Sequence, residues 1–301
     1  MNNYAKGVLC TLSSAVIFGF TPILVRLTYD GGANGITIAF LRAWLALPLL
    51  YLLVRRRHLS LKLSRSECRT VLLLGAVGSA ATTLSLYMSY NFISVGMATT
   101  LHFIYPLLVS LGCVLFFHQK LRSFQVAALF LGCAGIALFM DFHTAGGAAG
   151  ILLALLSGLF YAFHISYISA SGIQDMYFFK LSFYLCLVMG AVCGAFGLAT
   201  GNLTFDLSAT AWGYALIVSF LTSVGAISLL QFGIRLTGPC TAAILSTLEP
   251  ITSVILGVAL LGEELTSPKG LGCLLILASV TVVTAGQNRR DADTPAGHQA
   301  A

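Results

Sequence analysis

The run TAAILSTLEPITSVILGVALL, residues 241–261, decides what kind of protein this is. Its 21 residues carry one ionisable side chain, Glu249, followed at once by Pro250. A hydrocarbon core about 30 Å thick takes about 20 apolar residues to cross as a helix. A lipid-facing strand would alternate apolar and polar positions. This run is continuous, so it reads as a membrane-spanning helix.

Working outward, comparable runs lie at 6–28, 34–54, 69–90, 95–117, 124–141, 146–168, 175–199, 210–235, 239–261 and 268–286. The expected fold is therefore an all-α integral membrane protein with ten transmembrane helices. Composition agrees: 58% of residues are hydrophobic, 9% are charged, and the mean hydropathy is +0.93. Soluble domains carry roughly 25% charged residues, so a water-soluble reading is excluded. The first run has only Lys6 before it, is too long for a secretion signal and is followed by no A-x-A site, so it reads as a retained span.

The net charge of +6 matters less than its placement. With a cytoplasmic N-terminus, Lys6, Arg55, Arg56, Arg57, Lys62, Arg65, Arg69, Lys120, Arg122, Lys180, Arg235, Arg289 and Arg290 fall inside. Only Arg26, Arg42 and Lys269 fall at outer ends. This is a strong positive-inside bias. Both termini inside requires an even number of spans, which ten satisfies. The cluster from Arg55 to Arg69 reads as that topology signal, in reach of anionic headgroups. It has no aromatic platform or motif for nucleic acid. Eight scattered cysteines with no C-x-x-C pair read as small packing residues.

The quoted run has a counterpart 144 residues earlier, MATTLHFIYPLLVSLGCVLFF at 97–117. Under that shift Ala98 meets Ala242, Leu101 meets Leu245, Pro106 meets Pro250 and Val114 meets Val258. A shift of 143 brings Gly7 onto Gly150, Ser14 onto Ser157 and Phe20 onto Phe163. The near-constant offset implies duplication of a five-span unit, 1–141 and 146–286, followed by a polar tail, 287–301, expected to be disordered and cytoplasmic. Five is odd, so the second unit enters the membrane upside down. Such inverted repeats are typical of secondary transporters, with the substrate site near mid-bilayer between the halves.

The stretch from Leu229 to Val283 resembles the second repeat of the drug/metabolite transporter superfamily, in its EamA-type ten-span branch. The residues that carry the likeness are Glu249-Pro250, Leu261-Gly262-Glu263 with Leu265-Thr266, and Gly270 and Gly272. The first half holds a weaker copy: Tyr105-Pro106 replaces Glu-Pro, His118-Gln119-Lys120 replaces the Gly-Glu-Glu turn, and Phe40-Leu41-Arg42 resembles the start of the family's second span. The resemblance covers about residues 6–286. It implies ten helices, cytoplasmic termini, a cavity formed by spans 1, 3, 4, 6, 8 and 9, and export of amino acids or other small metabolites, as in exporters of aromatic and neutral amino acids.

Ionisable groups within lipid cost at least about 2.5–3.5 kcal/mol at mid-span, so each needs a partner or water. Glu249 is the one acid at such depth. It could bind a cationic substrate group or carry a coupling proton. Alternatively it ties the helix near Pro250, whose ring leaves the Ser246 carbonyl without its usual partner. His102 aligns with Ser246 and shares a face with Tyr105, so these residues could line the cavity, or the histidine could be hydrogen-bonded within the bundle. His164 aligns with Thr21, which stands beside Pro22, and is flanked by Tyr161 and Tyr167 in an aromatic face for either a pocket or packing. Tyr87 and Gln231 are related by the 144 shift and are candidate pore-lining groups. Arg42 lies about eight residues inside span two, where it could snorkel to the outer interface or bind a substrate carboxylate. Pro22, Pro106, Pro250 and Arg42 are expected to be structural or hinge positions.

No P-loop, H-E-x-x-H pair or G-x-S-x-G elbow is present, so the sequence points away from an enzyme and to no cofactor or metal. The expected function is alternating-access export of small organic metabolites, amino acids foremost, across the cytoplasmic membrane. A multidrug or cation efflux carrier is the alternative, and a channel a more remote one, since no filter or pore loop is evident. The partners implied are a small-molecule substrate, the lipid bilayer and protons as coupling ion, not nucleic acid. Gly132, Gly135, Gly270 and Gly272 permit close helix contacts, more in keeping with intramolecular packing than a dimer surface; a monomer or weak homodimer is expected.

Overall fold

A computed structural model of the protein describes residues 3–115, 121–138, 147–261 and 265–293. The helices are α1 (Asn3–Tyr29), α2 (Gly35–Arg56), α3 (Arg65–Ser89), α4 (Val95–Leu115), α5 (Ser123–Ala137), α6 (Ala148–Ala170), α7 (Phe178–Thr200), α8 (Ala209–Thr237), α9 (Pro239–Leu245, continuing as Leu248–Leu261) and α10 (Ser267–Asp293). Nine of them are long and apolar enough to cross a membrane, and α5 is shorter. Large apolar side chains such as Phe130, Leu198 and Leu274 stand outward, as a lipid-facing belt requires. The motif positions 118–120 and 262–263 lie outside the described residues.

The ten helices form two inverted five-helix repeats. α1 packs on α8 and α9, while α6 packs on α3 and α4; α2 packs on α7, and α5 on α10. Exchanging each helix with its counterpart five places on maps this set onto itself, as a pseudo-two-fold axis demands. The correspondence reaches single residues. A Cβ on Gly7 would stand 2.7 Å from Leu236 Cβ, and one on Gly150 would stand 2.6 Å from Phe92 Cβ. Phe92 and Leu236 are themselves repeat-related. Ser64 and Ser208, again 144 apart, cap α3 and α8 by accepting the N–H groups of Glu67 and Ala211. In the middle of those helices, Leu74–Ala81 and Ser219–Ala226 wind as matching π-helical segments.

Prolines break three helices near their centres. α2 is interrupted after Trp44 and resumes at Leu47 with Pro48 in its first turn. α4 stops at His102 and resumes at Tyr105-Pro106; α9 stops at Leu245 and resumes at Leu248, just before Pro250. Missing proline N–H groups weaken the ladder at these points.

The C-terminal end differs from expectation. Rather than losing structure at Gln287, α10 runs on to Asp293; helix propagation past the membrane requires only residues compatible with it, and Gln287 to Asp293 contain no proline or glycine. Residues 294–301 lie outside the described set. Gly132 and Gly135 bring α5 against α10: a Cβ at Gly135 would come 2.8 Å from the Gly272 carbonyl. That glycine face is thus used within the chain.

Candidate functional site

Between the repeats lies a cavity of about 80 Å³, bounded by α1, α2, α3, α4, α6, α8 and α9. The six expected helices all contribute, and α2 adds Arg42. Of the residues singled out from sequence, Thr21, Pro22, Arg42, Tyr87, His102, Tyr161, His164, Gln231 and Glu249 all line it. Tyr105 and Ser246 do not. Tyr105 is fully buried behind the wall, its ring packed 4.8 Å from that of Tyr161 and 5.4 Å from that of His102. Ser246 is buried and gives its hydroxyl to the Ala242 carbonyl at 2.9 Å. Both sit at or beside proline breaks, where the helix direction changes and the simple 3.6-residue periodicity no longer predicts facing.

Glu249 reaches the cavity because its backbone does the repair work near Pro250. Its own N–H bonds the freed Ser246 carbonyl at 3.0 Å, so the carboxyl is not needed for that purpose. Close approach of α1 fixes the position: a Cβ at Gly19 would stand 2.5 Å from the Glu249 carbonyl oxygen. In the other half α6 also approaches α4 closely, one turn away from the equivalent position: a Cβ at Gly158 would stand 2.7 Å from the His102 carbonyl oxygen.

Arg42 does not snorkel. It is 9% exposed, donates from Nη1 to Tyr87 Oη at 3.1 Å and faces the cavity. Its carbonyl is among those left open where the first segment of α2 ends, and it accepts Ser219 Oγ at 2.8 Å and Ser223 Oγ at 3.0 Å from the π-segment of α8. These anchors hold the residue inward. Arg42 and Glu249 share the cavity without closing to ion-pair distance, 4 Å.

His102 is both a cavity residue and hydrogen-bonded within the bundle: its Nδ1 lies 2.8 Å from Ser157 Oγ. Ser157 gives its own proton to the Ala154 carbonyl at 2.6 Å, so Nδ1 carries the proton in this bond and the neutral ring's Nε2 is an acceptor. His164 stacks on Tyr161 with ring centroids 6.0 Å apart and rests against Gly78, whose Cβ would fall 2.6 Å from Nδ1. Tyr167 does not complete this ladder; it stacks on Phe163 at 5.1 Å instead. Each three-residue step falls about 60° short of a full turn, so two steps carry Tyr167 off the cavity face.

Sequence reasoning missed Ser79, Thr82, Thr83, Leu86 and Tyr90, which join Tyr87 in lining the cavity from α3. Their spacing of three and four was a legible signal.

Pro22, Tyr90 and Thr99 also line a second space, a vestibule of about 430 Å³ that reaches Arg26 and Lys269. At the opposite face the halves are joined. Lys180 Nζ donates to the Lys62 carbonyl at 2.8 Å and Tyr184 Oη to the Leu61 carbonyl, while Arg235 Nε meets Asp175 Oδ1 at 3.5 Å within the second half. Deeper in, Ser110 Oγ touches Cys240 Sγ at 3.4 Å. The repeat-related positions at the other end, Gly96 and Val254, line the vestibule, and Gly96 has nothing within 4 Å of its Cβ direction.

Comparison with known proteins bears on what this architecture does. The uncharacterised inner membrane transporter YicL of Salmonella typhimurium is 24% identical over 96% of this chain and 99% of its own. The uncharacterised transporter sll1319 of Synechocystis is 24% identical over 92% of both. A protein of known crystal structure superposes with a TM-score of 0.81 over 95% of this chain and 99% of its own, at 16% identity, which shows a shared fold. The model of the EamA-like transporter family matches twice, at residues 5–140 and 148–285, once on each five-helix half. A multi-pass membrane protein built of two such halves, this chain belongs to the EamA-like transporter family.

Proposed function

We propose that the protein exports small organic metabolites, amino acids foremost, across the cytoplasmic membrane by alternating access, with both termini in the cytoplasm. The observation that carries this reading is the unequal state of equivalent positions. Ser110 and Cys240 are in contact, whereas Gly96 and Val254, their counterparts under the repeat, stand on the open vestibule. Exchanging the two arrangements would close the vestibule and part the joined end, which would open the cavity to the other face. The positive-inside bias assigns the joined face, with Lys62, Lys180 and Arg235, to the cytoplasm. The conformation is then outward-open, the form that releases exported solute.

Glu249 in the cavity suits a coupling proton or the cationic end of a solute. Arg42 in the same space weighs against the efflux of cationic drugs, because a buried guanidinium repels a cation that Glu249 alone would attract. A closed inner face weighs against an open channel. Reconstituted protein should show counterflow: labelled amino acid accumulating transiently against unlabelled amino acid inside the vesicle. Protection of cells from cationic dyes, without protection from toxic amino-acid analogues, would overturn the amino-acid reading.

A further inference from the structure

Buried polar atoms without partners are few in proteins, and each needs a reason. Arg42 Nε, Thr82 Oγ1, His164 Nδ1 and Gln231 Nε2 are buried atoms of this kind, and all four belong to side chains of the central cavity. Arg42 and Gln231 come from opposite halves of the protein and are 9% and 3% exposed. Their free atoms can only donate: a guanidinium has no acceptor, and an amide nitrogen has none either. Both are held in place. Tyr87 and the two α8 serines fix Arg42, while Ser182 Oγ donates to Gln231 Oε1 at 3.4 Å and leaves the amide nitrogen open.

Two preset donors, one of them charged, ask for an acceptor that offers two oxygens and one negative charge. A carboxylate meets that description, and planar guanidinium groups recognise it with good geometry. A second negative charge on the solute would be opposed by Glu249, which shares the cavity. A positive group beside the first would be attracted by it. We infer that Arg42 and Gln231 form a carboxylate-binding subsite, with Glu249 receiving the solute's cationic end, so that the cargo is a zwitterion with a single carboxylate. This rests on the transport reading and assigns the groups that impose specificity on it.

The test is counterflow in proteoliposomes with a pool of labelled neutral L-amino acids, challenged by unlabelled competitors. The free acids should compete, whereas their primary amides, which lack the carboxylate charge, should compete at least about tenfold more weakly. Dicarboxylic amino acids should also compete poorly. Arg42→Gln should raise the half-saturating concentration of the acids about tenfold or more and leave weak competition by the amides unchanged. Gln231→Met, which removes the second donor at nearly constant volume, should act in the same direction and serves if the arginine variant fails to fold by size-exclusion chromatography. Amides competing as well as acids would overturn the subsite while leaving transport intact. So would competition by phosphate or chloride equal to that of the acids, or a folded Arg42→Gln protein with unchanged preference. Absence of counterflow with every amino acid in the pool would instead bring down the amino-acid transport reading, and the subsite with it.

Discussion

Glu249 shows how one missing hydrogen places a functional group. Pro250 has no N–H, the Ser246 carbonyl is taken up by the N–H of Glu249, and the carboxyl is left free to face the cavity. Glutamine is nearly isosteric, so Glu249→Gln should fold normally yet lose the pH-dependent part of transport. Vesicle uptake followed from about pH 5 to about pH 8 checks this, and identical profiles for variant and wild type would remove the carboxyl from any proton coupling. Gly78 plays a different part: it makes room for the imidazole of His164, with its absent Cβ only 2.6 Å from Nδ1. Gly78→Ala should therefore displace that ring and cost about 1–3 kcal/mol through overpacking, seen as a lowered melting temperature in detergent. Gly96→Ala, at a position with open space, should show no such loss.

At the scale of elements, α3 carries more of the cavity than its composition advertises. Ser79, Thr82, Thr83, Leu86, Tyr87 and Tyr90 recur at intervals of three and four, and all of them face the solute space. This stripe was legible in the sequence, whereas the π-helical turn just before and across its start was not. Leu74–Ala81 and Ser219–Ala226 contain only apolar and small polar residues that an α-helix would equally accept. A π-turn accommodates an extra residue between two α-helical flanks. Deleting Val77 should therefore return α3 to regular winding and leave the stripe from Thr82 onward on the cavity side, so that counterflow and membrane insertion both survive, whereas inserting one residue after Ser89 of α3, beyond the π-segment, should turn Tyr90 by about 100° and weaken counterflow. The counterflow assay and size-exclusion chromatography together check both parts. The paired breaks at Pro106 and Pro250 were better announced, since proline shows its effect on the ladder wherever it stands.

For the molecule as a whole, the repeat predicts the conformation that is not seen. When the cavity turns to the opposite face, Ser110 and Cys240 should part while Gly96 and Val254 approach. In a background with the other cysteines replaced, Ser110→Cys should form a disulfide with Cys240 and arrest transport in the conformation described above. Gly96→Cys with Val254→Cys should cross-link during turnover and trap the opposite form. Mobility on non-reducing gels and reversal by reductant provide the measurement. Transport continuing with the first pair fully cross-linked would sink the alternating seam.

By itself the sequence determined that lipid is the solvent, that ten helices cross it, and that a five-helix unit repeats with inverted orientation. Those properties are written in apolar run length and a constant offset of 143 to 144 residues, both local or additive along the chain. It also marked most of the cavity's polar groups, because charged and strongly polar side chains in lipid have few places to go. Only the tertiary structure decided that Arg42 turns inward, that Tyr105, Ser246 and Tyr167 leave the cavity face, and that one end of the seam is shut. The inward turn of Arg42 and the shut end depend on contacts across the two halves, such as the α8 serines on the Arg42 carbonyl, and no local pattern encodes which partner a freed backbone group will find; the facing of Tyr105 and Ser246 follows from how the chain resumes after a break, which periodicity does not specify.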